Sequence, residues 1–167
     1  MLLRKAIRDD IKPIMNILEL SVPVMNECGN FQWDQTYPNE AVFENDILLG
    51  HLWVCEVDEV IAGFAAITTD QEPEYADVGW DISQTAIVTH RLAVHPHFRG
   101  YGVGAALLYK AEDEAKLRGI KFLRIDTNTN NEATKKLFPK CGYTFSGEIG
   151  LHFRPGLRFL CYQKILE

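Results

Sequence analysis

The chain has 167 residues, 47% of them apolar, and a net charge of −6 at pH 7. That size and composition suit one compact domain over residues 1–167 and include no apolar run of about 18 residues that would cross a bilayer. The excess of acid disfavours loose binding to nucleic acid, a polyanion that would be repelled overall, and weakly favours a cationic partner.

Leu2 to Ile7 reads as a first strand, and Asp9 or Asp10 caps a helix whose Ile11, Ile14, Met15, Leu18 and Leu20 share about one face. Ser21 to Pro38 reads as irregular and aromatic, before Asn39 caps a second helix ending at Gly50. Leu52–Val57 and Val60–Thr68 are apolar strands, and their short Asp58-Glu59 connection implies an antiparallel hairpin. Gln71 to Gln84 is polar and loop-like. A strand from Ala86 to His95 then leads to a helix from about Tyr101 to Arg118, with Val103, Leu107, Leu108, Ala111 and Ala115 inward and Gly119 as its stop. Phe122 to Asp126 is another strand, and Asn131 heads a short helix. Tyr143 to Ile149 and Arg158 to Ile165 close the chain as strands, with Arg154-Pro155-Gly156 between them. About seven strands and four helices, without repeats or linkers, give a layered α/β domain.

The cysteines Cys28, Cys55, Cys141 and Cys161 are widely spread and form no Cys-x-x-Cys pair, so neither a metal site nor a disulfide framework is indicated. The opening residues Met1 to Asp10 lack the long apolar centre and small-residue cleavage site of a signal peptide, and a soluble cytoplasmic protein with no membrane partner is expected. The sequence leaves monomer and homodimer both open.

The most informative stretch lies between the Ala86 strand and the following helix, where Arg99 is followed by Gly100, Tyr101, Gly102, Val103 and Gly104. Glycines let the backbone turn tightly and present several N–H groups, and the helix beginning there adds the positive end of its dipole, so a diphosphate suits this place. The spacing is neither the Gly-x-Gly-x-x-Gly of dinucleotide folds nor a nucleotide-triphosphate loop. It resembles the coenzyme A signature of the GNAT superfamily of acyl-CoA N-acyltransferases, Arg/Gln-x-x-Gly-x-Gly/Ala, on Arg99, Gly102 and Gly104. Leu92-Ala93-Val94 and Pro96 also stand where that family has them. A second signature of the family, an Asn-headed helix followed by an aromatic residue and then Gly-Phe/Tyr, is matched by Asn131, Leu137, Phe138, Gly142 and Tyr143.

The resemblance implies a single-domain GNAT fold, with a mixed sheet splayed between its fourth and fifth strands, and acetyl-CoA as acyl donor. Leu92, Ala93 and Val94 would then bind pantetheine through their backbone, and the stretch of Arg99, Gly100, Tyr101, Gly102, Val103, Gly104 and Ala105 would hold the pyrophosphate. Asn131 and Phe138 complete the expected coenzyme contacts. His90, two residues before Leu92, stands where the arylalkylamine N-acetyltransferase branch has a histidine that passes the amine proton through water, and its ordinary pKa suits that task. Trp33, Tyr37 and Trp80 are candidates for the acceptor pocket. Glu74 is a candidate cation anchor there or an alternative base, as are Asp77 and Asp34.

One departure stands out. The family commonly has a tyrosine at the place of Phe138, and its hydroxyl is taken to protonate the departing thiolate. A thiol pKa near 8.5 nonetheless lets coenzyme A leave as the anion. The expected activity is direct acetyl transfer to a primary amine of a small molecule or peptide; modification of a protein N-terminus or lysine is a separate reading for which the sequence gives no special motif. The alternative is a non-catalytic acyl-CoA-binding sensor or interaction module.

Overall fold

The computed structural model covers residues 1–167. Its elements are β1 (Leu2–Lys5), α1 (Ile11–Glu27), α2 (Glu40–Leu48), β2 (Leu52–Val57), β3 (Val60–Thr68), β4 (Ala86–Val94), α3 (Val103–Leu117), β5 (Phe122–Asn128), α4 (Glu132–Lys140), β6 (Thr144–Leu151) and β7 (Arg154–Ile165). The strands join in one seven-stranded sheet in the order β1-β2-β3-β4-β5-β7-β6. This is the mixed, layered architecture expected from the sequence.

Alternation along the strands sorts the core into two layers. On β3, Phe64 and Ala66 face α1 and α2, packing with Ile14, Ile17, Leu18 and Phe43. Ala65 and Ala62 turn the other way onto Val103 and Leu107 of α3. α3 and α4 together cover Ile87, Leu123 and Ile125, with Phe138, Tyr143 and Tyr162 in the same cluster. Helices therefore protect both faces, which is what the continuously buried run Ile61–Thr68 of β3 requires.

All neighbouring strands are antiparallel except β4 and β5, which run parallel and pair only at Ala86 with Phe122, Ile87 with Leu123 and Val88 with Arg124. Beyond Val88 the edge of β4 facing β5 has no strand partner, so the sheet is split. The cause is local to β4. His90 stands opposite Ala66 and Ala93 opposite Phe64, so Arg91 and Leu92 together oppose one residue of β3. Such a bulge bends its strand and increases its twist. Arg91 adopts φ 52°, in the left-handed region. For a residue with a Cβ this costs about 1–3 kcal/mol and persists only when its surroundings impose it. Asp46 of α2 imposes it: Nε and Nη2 of Arg91 each donate to an Asp46 carboxylate oxygen at 2.7 Å, and Nη1 reaches the Tyr37 hydroxyl at 3.3 Å.

Several local expectations change. α1 does not stop near Leu20 but continues through Pro23 to Glu27. The missing proline amide costs one helical hydrogen bond, and burial of Ser21 and Val22 on the same stripe as Ile14 and Leu18 outweighs it. Leu20 falls off that stripe and is exposed, and Ile17 takes its place in the core. The segment Gln71–Gln84 contains a short 3-10 turn, Pro73–Val78, that buries Tyr75. Arg154, Pro155 and Gly156 belong to β7, and the chain reverses at His152 and Phe153 instead.

Removing one partner of a buried pair strands the other charge, so Asp46→Ala is expected to lower the unfolding free energy by about 3 kcal/mol or more. The side chains of Arg91 and Asp46 are 17% and 5% exposed, against 54% and 45% for the Arg158–Glu148 pair. Glu148→Ala should therefore cost less than about 1 kcal/mol. Urea denaturation of the two variants checks the contrast.

Candidate active site

The split opens into a cleft of about 720 Å³, bounded by β4 and β5, the N-termini of α3 and α4, the C-terminal half of α1 and the β6–β7 turn. Leu92, Ala93 and Val94 lie along the unpaired edge of β4, and Arg99, Gly100, Gly102, Val103, Gly104 and Ala105 form one end. Asn131 and Phe138 stand on the opposite wall, and His90, Trp33 and Tyr37 line the other end. Residues separated by more than a hundred positions in sequence are thus brought to one cavity.

The glycine-rich end is built for an anion. Gly100 and Gly102 have φ 83° and 81°, and a Cβ on either would meet open space. The amides of Gly100, Gly102, Val103, Gly104 and Ala105 donate to no protein acceptor, and the first helical bond of α3 is from the Ala106 amide to the Gly102 carbonyl. Unpaired amides at a helix N-terminus fit a pyrophosphate, and the first turn of α3 carries no acidic side chain to compete. Gly104 serves a second purpose not evident from the motif: a Cβ there would come within 2.9 Å of the Leu137 side chain, so the glycine lets α3 approach α4.

His90 is half-buried in the cleft wall, and its Nε2 lies 3.0 Å from the Asp70 carbonyl. With Nε2–H donating to that carbonyl, Nδ1 is left as the acceptor. Burial pushes the imidazole pKa below its ordinary value, more than the Asp70 carbonyl raises it, so the neutral, proton-accepting form prevails at pH 7.

Three expected contacts fall outside the cleft. Tyr101 projects into solvent beside Phe98, and its amide is already committed to the Phe98 carbonyl. Trp80 is buried in a core cluster with Tyr75, Val88 and Phe159, and Arg124 stacks on its ring. Glu74 turns away to the β6–β7 turn, where one oxygen accepts from the His152 amide at 2.9 Å and lies 2.7 Å from its ring Nδ1. Of the other two loop carboxylates, Asp34 pairs with Arg154 at 3.3 Å and Asp77 is exposed outside the cleft.

Phe138 is buried between Tyr143 and Tyr162. Neither neighbour of interest replaces the missing hydroxyl. Cys141 and Tyr143 are buried outside the cleft, and burial pushes both of their pKa values up.

Two cleft carboxylates were not apparent from the sequence. Asp126 of β5 accepts a short hydrogen bond from the buried Tyr75 hydroxyl. Burial drives its pKa to about 6 against the effect of that bond, and the charge of Glu72 raises it further. Glu72 is itself half-buried, lines the cleft and has no hydrogen-bond or ion-pair partner; burial and then Glu74 push its pKa up. A signal for Asp126 was present, since it is a lone acid in the apolar strand Phe122–Asn128.

A parallel strand pair that parts beside a bulge, with a helix N-terminus full of unpaired amides at the parting, defines a cleft fitted to an extended ligand with an anionic end. Residues 14–143 match the model of the acetyltransferase (GNAT) family, and the chain belongs to that family. It is an acyltransferase with acetyl-CoA as donor, which decides against the non-catalytic alternative. The chain is 26% identical over 145 residues to the uncharacterised N-acetyltransferase YesJ of Bacillus subtilis, covering 85% of this chain and 81% of that protein. Among solved structures it is similar to a GNAT family acetyltransferase of Streptococcus agalactiae, with TM-score 0.84, 28% identity and coverage of 99% and 95%. It also shares the fold of yncA, an acetyltransferase from Salmonella typhimurium solved with acetyl-CoA, with TM-score 0.69, 24% identity and coverage of 99% and 94%.

Coenzyme A at one hundred times its Kd is expected to stabilise the fold by about 2.7 kcal/mol, a rise of roughly 5–10 °C in Tm for a domain of this size. Gly102→Asp puts a negative charge beside the unpaired amides, on a backbone that resists a Cβ, and should remove most of that rise. Thermal melts with and without coenzyme A check it, each protein serving as its own reference.

Proposed function

We propose that the protein transfers the acetyl group of acetyl-CoA directly to the primary amine of a small molecule or peptide, in a ternary complex, with His90 as general base. The reading places the reaction in the cytoplasm; no helix is long and apolar enough to cross a membrane. The observation that carries it is the shared cleft: the unpaired amides of α3, the free edge of β4 and His90 all open onto one cavity.

When bound, acetyl-CoA supplies an activated thioester carbonyl and a thiol leaving group. The chain's residues supply the rest. An alkylamine of pKa near 10 is neutral in only about one molecule per thousand at pH 7, so a proton must be removed before nitrogen can attack. Neutral His90 takes it on Nδ1, directly or through a water. The C–N bond forms, the C–S bond breaks, and the sulfur departs as thiolate. Phe138 offers no proton there, and the modest basicity of a thiolate, with pKa about 8.5, makes one dispensable. Arg99, Gly102 and Val103 hold the donor's anionic end far from the reacting atoms.

His90→Ala should lower kcat about 10²-fold or more with little change in acetyl-CoA affinity. The base must be deprotonated to act, so the wild-type rate falls as pH drops through the histidine pKa, which burial sets below about 6.5. That acidic limb should vanish in the mutant. A folded His90→Ala enzyme that keeps both rate and limb would make His90 structural.

Phe138→Tyr restores a hydroxyl where the family commonly has one, and kcat should rise or stay the same while acetyl-CoA affinity is unchanged. Steady-state rates of thiol release measure this. Loss of activity in a folded mutant would show that Phe138 packs in a way tyrosine cannot.

A further inference from the structure

The acceptor end of the cleft has an unbalanced charge. Its arginines are neutralised by the protein itself, Arg91 by Asp46 at 2.7 Å and Arg154 by Asp34 at 3.3 Å, with the Arg154 guanidinium also over the Tyr37 ring. Its carboxylates are not. Glu72 has no partner, and Asp126 has only the Tyr75 hydroxyl, which leaves Oδ1 free.

Strand register places Asp126 relative to the base. Val88 and Arg124 are the last paired residues of β4 and β5, and His90 and Asp126 each lie two positions further on. Two positions along a strand return to the same face. The side chains of His90 and Asp126 therefore sit on one face of the sheet, on opposite lips of the split. Tyr75 and Trp80 pack on that face with Val88, and α1 and α2 cover its continuation over β3. The charges that act on His90 come from Arg91, Asp70 and Asp46, whereas Asp126 feels the charge of Glu72 and the hydrogen bond of Tyr75. Glu72 shares the charges of Arg91 and Asp70 with His90 and adds its own negative charge to that of Asp126.

A carboxylate beside a reacting amine works against the reaction if it only holds the ammonium form, because nitrogen must lose its charge before attack. Two uncompensated carboxylates are useful when a positive charge persists through the transfer. We propose that Glu72 and Asp126 select acceptors that carry a second, non-reacting ammonium, so that the preferred substrates are aliphatic diamines or amines of similar charge. This rests on the acetyl-transfer reading above and names the chemical class of its acceptor. The reacting nitrogen enters beside His90, and the second nitrogen lies toward Asp126 and Glu72.

The test compares kcat/KM for aliphatic α,ω-diamines of increasing length with the monoamines of equal carbon number, using acetyl-CoA and the full chain. The wild type should favour the best diamine by about tenfold or more, the worth of one hydrogen-bonded charge contact. Glu72→Gln should bring that ratio toward one, chiefly through the diamine KM. Asp126→Asn should act in the same direction, and because Glu72 sits on a loop its variant remains informative if Asp126→Asn does not fold. Equal use of monoamines and diamines by the wild type overturns this inference alone, as does an unchanged ratio in Glu72→Gln. Transfer to neither kind of amine overturns this inference, and the acetyl-transfer reading falls with it only if peptide amines are not acetylated either.

Discussion

The ion pair between Arg91 and Asp46 holds a residue in a strained conformation at the place where the sheet comes apart. The bulge at Arg91 bends β4, and β4 shares no pair with β5 beyond Val88. α2 is the anchor, because Asp46 is buried on it and reaches β4 with both carboxylate oxygens. A short helix that contributes no residue at the glycine-rich end thereby helps set the width of the cleft.

The two ends of that cleft are made of different material. At the coenzyme end the donors are backbone amides freed by helix geometry, and side chains matter mainly by being absent, as at Gly100 and Gly102. At the acceptor end the work falls to side chains from β4, β5 and the loop before β4. A backbone-built subsite has a short linear signature, since the glycines that permit it are neighbours in sequence. A side-chain subsite has none.

That difference explains what the sequence made legible. The order of strands and helices and the anion cradle follow from periodicity and from residues within one segment, and the parting beyond the fourth strand is implied by the family resemblance. Tyr75 and Asp126 meet across 51 positions, and nothing near either residue announces the other. Trp80 and Glu74 had the right chemistry for an acceptor pocket, but Arg124 and His152 occupy them. α1 outran its expected end because tertiary packing of Ser21 and Val22 outweighed the local cost of Pro23.

The contact between Gly104 and Leu137 joins the two signatures physically. The anion cradle and the short helix after β5 are separate motifs in the chain, yet the first can gain a methyl group only if the second gives way, since the added carbon would stand 2.9 Å from the leucine. Substitutions at the two positions should therefore be non-additive: alanine at 104 is costly beside Leu137 and tolerated beside a smaller residue. The floor and the far wall of the coenzyme site can drift in sequence only as a pair.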